Sequence, residues 1–187
     1  MILAKNKQLI STDELTSFES DFNIRIPEIL KNFLLIYNGG EAYEHPTYLP
    51  EHESFSLREM YCLSEIRNSL TYLSYEELLG IGFLVIGTDF FGNAIAIGIK
   101  ENDDYGRIFF CDHEFGFKQT QVGDSLVDFF NSFEVKPLVR KRVKTIEERE
   151  SALIARGYGN NITDGLKRAW QAEIDKYSNI EYVEIKL

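Results

Sequence analysis

Cys111, Asp112, His113 and Glu114 stand in a row at the end of an apolar run, "RIFFCDHEFG". A thiol, two carboxylates and an imidazole are the groups that ligate metal ions and carry protons in acid–base catalysis. If the run is a β-strand, successive side chains point to opposite faces. Cys111 and His113 then share one side, and Asp112 and Glu114 the other. A tetrahedral metal site needs three or four convergent ligands, so two from this strand require others from elsewhere. His45, His52 and the acids of residues 41–53 are available, but no spacing singles them out. The simpler expectation is a strand end surfacing into solvent.

Other chemistries have less to recommend them. There is no "GxSxG" nucleophile elbow, and neither Cys62 nor Cys111 sits in a catalytic sequence context. "NGG", "GTDFFGN" and "ARGYGNN" contain glycine without phosphate-loop spacing ahead of a helix, so their glycines are expected to serve turns. The two cysteines, 49 positions apart, make neither a metal pair nor a disulfide framework. No cofactor is expected.

The elements around these residues are signalled by periodicity and capping. In "ISTDELTSFESDF", Ser11 and Glu14 form a capping box, with Ile10 and Leu15 as its hydrophobic staple. Leu15, Phe18 and Phe22 follow at helical spacing. "IPEILKNFLLIYNGG" predicts a second helix with Pro27 in its first turn and a left-handed stop at Asn38-Gly39-Gly40. Residues 41–62 look irregular, with a short strand expected at "ESFSL". Helices are expected over "LSEIRNSLTYL" and "SYEELLG". "FLVIGTD" is a strand buried on both faces, "FFGN" a turn, and "AIAIGI" a strand alternating Ile95, Ile97 and Ile99 with small residues. "RIFFCDH" completes a meander. "GDSLVDFFNSF" closes the unit as a helix with Leu126, Phe129, Phe130 and Phe133 on one side.

At Pro137 the character changes. A basic stretch, "PLVRKRVK", leads into "TIEERESALIARGYGNN", where Thr145 and Glu148 form a second capping box and Gly157 a stop. "TDGLKRAWQAEIDKY" is amphipathic, and "IEYVEIKL" alternates as a half-buried strand does. The expected organisation is a domain over residues 1–136 and an extension over 137–187, two helices and a terminal strand packed on the same domain.

The charge divides along the same line. Residues 1–136 hold 10 Lys and Arg against 22 Asp and Glu, a net of −12; residues 137–187 hold 10 against 8, a net of +2, together the −10 of the whole. An acidic body repels nucleic acid and speeds encounter with a basic partner. Apolar runs fall far short of the ~20 residues a membrane helix needs. "MILAKNKQLIST" lacks the apolar core and cleavage site of a signal peptide. A cytoplasmic location is expected.

The order of these signals resembles the SUKH superfamily, in its Smi/Knr-type branch, over about residues 10–135. The positions that carry the resemblance are Pro27, Asn38, Gly39 and Gly40; Gly87 and Asp89; Gly92 and Asn93; Asp112, His113 and Glu114; and Phe129 with Phe130. The resemblance implies an α+β fold, helices packed on a central mixed, mainly antiparallel sheet, and no enzymatic activity. It also implies a protein partner: many bacterial members look like immunity proteins that bind and block a toxin domain, often a nuclease. Exposed acids are the expected contacts to a basic toxin, at Glu101, Asp103 and Asp104, at Asp112 to Glu114 with His113, and at Glu51 and Glu53. Tyr43, Tyr48, Tyr105 and Phe115 are the candidate aromatic anchors. Two alternatives stay open: a regulatory scaffold without a toxin partner, and a metal-dependent enzyme built on Asp89, Asp112, His113 and Glu114.

Overall fold

The computed structural model describes residues 1–6, 8–43, 55–133, 143–178 and 180–187. In chain order its elements are β1 (Ile2–Ala4), α1 (Thr12–Phe22), α2 (Glu28–Ile36), β2 (Gly40–Glu41), β3 (Leu57–Met60), α3 (Leu63–Ser69) and α4 (Leu73–Ile81). There follow β4 (Phe83–Asp89), β5 (Ala94–Gly98), β6 (Ile108–Asp112), β7 (Lys118–Gly123), α5 (Leu126–Asn131), α6 (Ile146–Ala155), α7 (Asp164–Ser178) and β8 (Tyr182–Glu184). The chain divides into two units, Met1–Pro137 with Tyr182–Leu187, and Leu138–Glu181.

In the first unit, α1 begins at the expected box. The Glu14 amide donates to Ser11 Oγ, and the Glu14 carboxylate accepts from the Ser11 amide at 2.8 Å. Pro27 sits at the N-cap of α2 rather than inside its first turn, and Leu30, Phe33 and Leu34 are buried below it. The helix stops where Asn38, Gly39 and Gly40 all take positive φ. A Cβ on Gly39 would lie 2.6 Å from the Tyr61 carbonyl carbon, so this turn requires glycine for closeness as well as for conformation. Buried Asn38 uses the turn as a clamp. Its side chain donates to the Gln8 carbonyl at 2.7 Å and accepts from the Leu63 amide at 2.9 Å, while its carbonyl accepts from Asn6 Nδ2.

Among the described residues, six strands form one antiparallel sheet in the order β2-β3-β4-β5-β6-β7. The fold is thus α+β, as expected, and an isolated parallel bridge, Gly98 to Tyr105, lies outside the named strands. Alternation sorts the central strands onto two cores. Leu84, Ile86, Ile95, Ile97, Ile108 and Phe110 face a cluster that includes Phe18, Phe33 and Phe129 from α1, α2 and α5. Val85, Ala94, Ala96, Phe109 and Cys111 face the other way, with Leu78 of α4. A separate pair, β1 with β8, ties the chain ends together, and Tyr37 Oη accepts from the Lys186 amide at 2.9 Å.

Several expectations are corrected. The single helix over "LSEIRNSLTYL" is broken: α3 stops at Ser69, and α4 starts again at Leu73. Of the strand expected at "ESFSL", Glu53 and Ser54 lie outside the described residues; β3 takes in its last residue and runs on over Leu57–Met60. The meander continues into a fourth strand, β7, whose polar "KQTQVG" carries no strand pattern of its own.

In the second unit, Thr145 and Glu148 cap α6 as expected, and Gly157 takes φ 81° after its end. The helices are joined by charge. Arg149 makes a forked pair with Glu173, at 2.8 and 3.0 Å, and Lys167 pairs with Glu150.

Candidate functional site

Asp89 ends β4 and is 1% exposed. One carboxylate oxygen accepts from the amides of Phe91 (2.8 Å) and Asn93 (2.9 Å), and the other from Asn93 Nδ2 at 2.8 Å. A carboxylate only accepts, so the Asn93 amide must present its NH2 to Asp89 and its oxygen outward. That oxygen meets the His113 backbone amide at 3.1 Å and His113 Nδ1 at 2.8 Å. Nδ1 therefore carries the proton, and in the neutral ring the lone pair is on Nε2. Thr88 Oγ1 donates to the Asn93 carbonyl at 2.9 Å and completes the frame. Gly-x-Asp and Gly-Asn thus have a structural use: they stitch the β4–β5 turn to the segment after β6.

That segment is not the strand the alternation argument assumed. β6 ends at Asp112, and His113–Phe115 forms a short 3-10 turn with Asp112 as its cap, its Oδ1 accepting from the Glu114 amide at 2.9 Å. The cause is tertiary. Asn93 takes the His113 amide away from strand pairing, and the chain reverses through Gly116 and Phe117 at φ 65° and 58°. The Phe117 amide returns to the Asp112 carbonyl at 2.7 Å. The four groups of "CDHE" are consequently dispersed. Cys111 is buried beside Leu78 and Ala96, where burial pushes its thiol up to about 12, out of use as a nucleophile at neutral pH. Asp112 caps the turn, His113 is held by Asn93, and Glu114 and Phe115 are exposed. Among the described residues no three His, Cys, Asp or Glu side chains converge as a metal ion requires.

The candidate contacts fall at two ends of the sheet. Asp112 to Phe115 lie where β6 leaves the sheet, at the Ala94 end of β5. Glu101, Asp103, Asp104 and Tyr105 belong to the loop after the Gly98 end. There Glu101 pairs with Arg25 at 3.3 Å, and Tyr105 is bridged to Gly98. Tyr43 follows the edge strand β2, its ring edge-on to Tyr182 at 4.9 Å. Tyr48, Glu51, Glu53, His45 and His52 lie outside the described residues.

The structure adds residues that sequence reasoning passed over. Phe91, at the tip of the β4–β5 turn, is 75% exposed, beside the expected anchor Phe115 at 72%, on two turns tied by Asn93. The available signal was apolar bulk, "FF", inside a turn. Tyr72 and Leu73, at the start of α4, are 65% and 70% exposed. Tyr75 lies 6.1 Å from Tyr72 and 5.6 Å from Phe117, ring to ring, so α4 begins at the same end of the sheet as the 3-10 turn. Burial raises the Tyr75 hydroxyl above its ordinary value, and that of Tyr61 further still.

A meander sheet with helices on both faces, and an Asp–Asn–His frame joining two of its turns, defines an α+β domain of the type the motifs resemble. The chain belongs to the SMI1 / KNR4 family (SUKH-1), whose model matches residues 9–132. The match runs from the residues before α1 to the end of α5, leaving out the β1–β8 pair and the second unit. No match was found among curated proteins. Among the described residues no helix is long and apolar enough to cross a membrane.

Proposed function

We propose that this protein is a non-enzymatic protein-binding module of the immunity type, which holds a cognate toxin and blocks it. The observation that carries the reading is the family match over residues 9–132. Its support in chemistry is the use made of the site's polar groups: Asp89, Asn93 and His113 are spent on one another, and what they hold outward is Phe91, Phe115 and Glu114. A large ring on a preformed turn is a low-entropy anchor for a protein interface.

In this reading the toxin is basic, a nuclease domain being the leading class, and the −12 charge of residues 1–136 steers it. The turn carrying His113, Glu114 and Phe115 makes the contact; Asp103 and Asp104, at the other end of the sheet, add to the field. No cofactor, nucleic acid or membrane takes part, and the encounter is cytoplasmic. Co-expression with the product of the adjacent open reading frame tests it. The expected result is a co-purifying complex and rescue of growth. A neighbour that is harmless alone and does not bind overturns the immunity reading.

A further inference from the structure

We propose that the face shared by the first turn of α4 and the turn Glu114–Phe117 docks a basic amphipathic segment of the partner protein. The inference rests on the protein-binding reading and adds a surface to it. Tyr72, Leu73 and Phe115 are all exposed by 65% or more. The two turns that carry them are joined by the rings of Tyr72, Tyr75 and Phe117, in sequence at 6.1 and 5.6 Å, each pair edge to face. Tyr75 and Phe117 also pack against the cluster of Leu78, Val85 and Phe109. The patch is therefore apolar outside and anchored inside.

The turn is held against its own preference. A phenylalanine at φ 58° is in the left-handed region that side chains disfavour. It is kept there by the Asp112 carbonyl on its amide and by Gln119 Nε2 on its carbonyl. Glu76 and Glu77 follow Leu73 by three and four positions, on the same side of α4, and both are exposed. Glu114 is exposed next to Phe115. Along the chain the nearest cation to the turn Glu114–Phe117 is Lys118, the first residue of β7, across the ladder from Asp112, and the nearest to the first turn of α4 is Arg67, paired with Asp21. An apolar centre with a predominantly carboxylate rim selects an occupant that is apolar on one side and cationic at its edges.

The probes are two synthetic amphipathic helices of equal length, one of Leu and Lys, the other of Leu and Glu. Each is titrated against the full chain by fluorescence anisotropy. The Leu/Lys helix is expected to bind and the Leu/Glu helix not. Leu73→Ala and Phe115→Ala should each weaken binding by about tenfold, the range of a moderate interface anchor. Ile36→Ala, at an exposed apolar position on α2, should change nothing. Absence of binding, equal binding of both helices, or an equal loss with Ile36→Ala overturns the proposal. The product of the adjacent reading frame separates the two claims. A complex that survives Leu73→Ala and Phe115→Ala unchanged overturns this face and keeps the immunity reading. No complex with that product, while the Leu/Lys helix binds as described, supports the face and removes the immunity reading.

Discussion

Phe18, Phe33 and Phe129 in the first unit are removed from water almost completely, whereas between Val143 and Glu181 no side chain whose burial is described is buried. The first unit closes a sheet between helices on both faces, and its polar residues serve that closure. The second joins α6 and α7 through Arg149–Glu173 and Lys167–Glu150, with Leu166, Trp170 and Ile174 half-buried. Burial gives stability that salt hardly touches. Exposed ion pairs give little stability, and salt screens what they give. The family match ends at residue 132, close to this change. The part the family model covers is the part that holds the buried core.

The largest effect should come from the core. Phe129→Ala removes a ring that touches Phe33's cluster, Phe130 at 5.8 Å and Phe133 at 5.0 Å. A loss of about 3–5 kcal/mol is expected, read by denaturant unfolding followed through tyrosine and far-ultraviolet circular dichroism. A loss below ~1 kcal/mol would remove the contrast between the units.

Next comes the polar frame. Asp89→Ala leaves two amides and the Asn93 NH2 without their acceptor, and a loss on the order of 2 kcal/mol is expected. Stability alone would not separate this from any buried deletion, so the decisive reading is His113. Nitrogen NMR should find the neutral ring protonated at Nδ1 in the native protein. In Asp89→Ala, where Asn93 is free to turn, that preference should be lost. An Nε2–H ring in the native protein would contradict the Asp89–Asn93–His113 chain.

These two predictions also mark where the sequence was legible. The capping boxes, the Phe-rich face of α5 and the strands of "FLVIGTD" and "AIAIGI" are local patterns, and local patterns survive into the structure. β7 was not legible because "KQTQVG" is a strand by virtue of its pairing with β6, not of its own propensity. The 3-10 turn was hidden for a similar reason: its cause, Asn93, lies twenty residues upstream of His113. Motif positions Asp89 and Asn93 were read from the resemblance, but their chemistry was not. Phe91, Tyr72 and Leu73 are not legible as exposed residues, because a turn and a helix pattern account for their letters whichever side faces water.

In the second unit the expected effects are smaller and of another kind. Trp170 is the chain's only tryptophan and reports α7 directly. Arg149→Lys keeps the charge and removes the fork. Faster hydrogen exchange in α6 and α7 is expected, with a change in Trp170 fluorescence, while the Phe129 core stays protected. Raising salt in the native protein should act in the same direction.

Acid sharpens the contrast furthest. The Arg149 guanidinium, first by hydrogen bonding and then by its charge, holds the Glu173 carboxyl below its ordinary 4.5. A carboxylate whose folded value is lowered contributes fully above the unfolded value, and the contribution disappears as pH falls through the folded one. The α6–α7 pair should therefore hold at pH 6 and loosen once the pH drops below about 4.5, seen as faster exchange of its amides. Glu14 is lowered too, chiefly by the Ser11 amide in the capping box. Its protonation frees only the first turn of α1, because Leu15 and Phe18 stay buried without it. Over the same pH range the first unit should fray at one helix end while the second opens along both helices. If both units lose protection together, charge is not what distinguishes them.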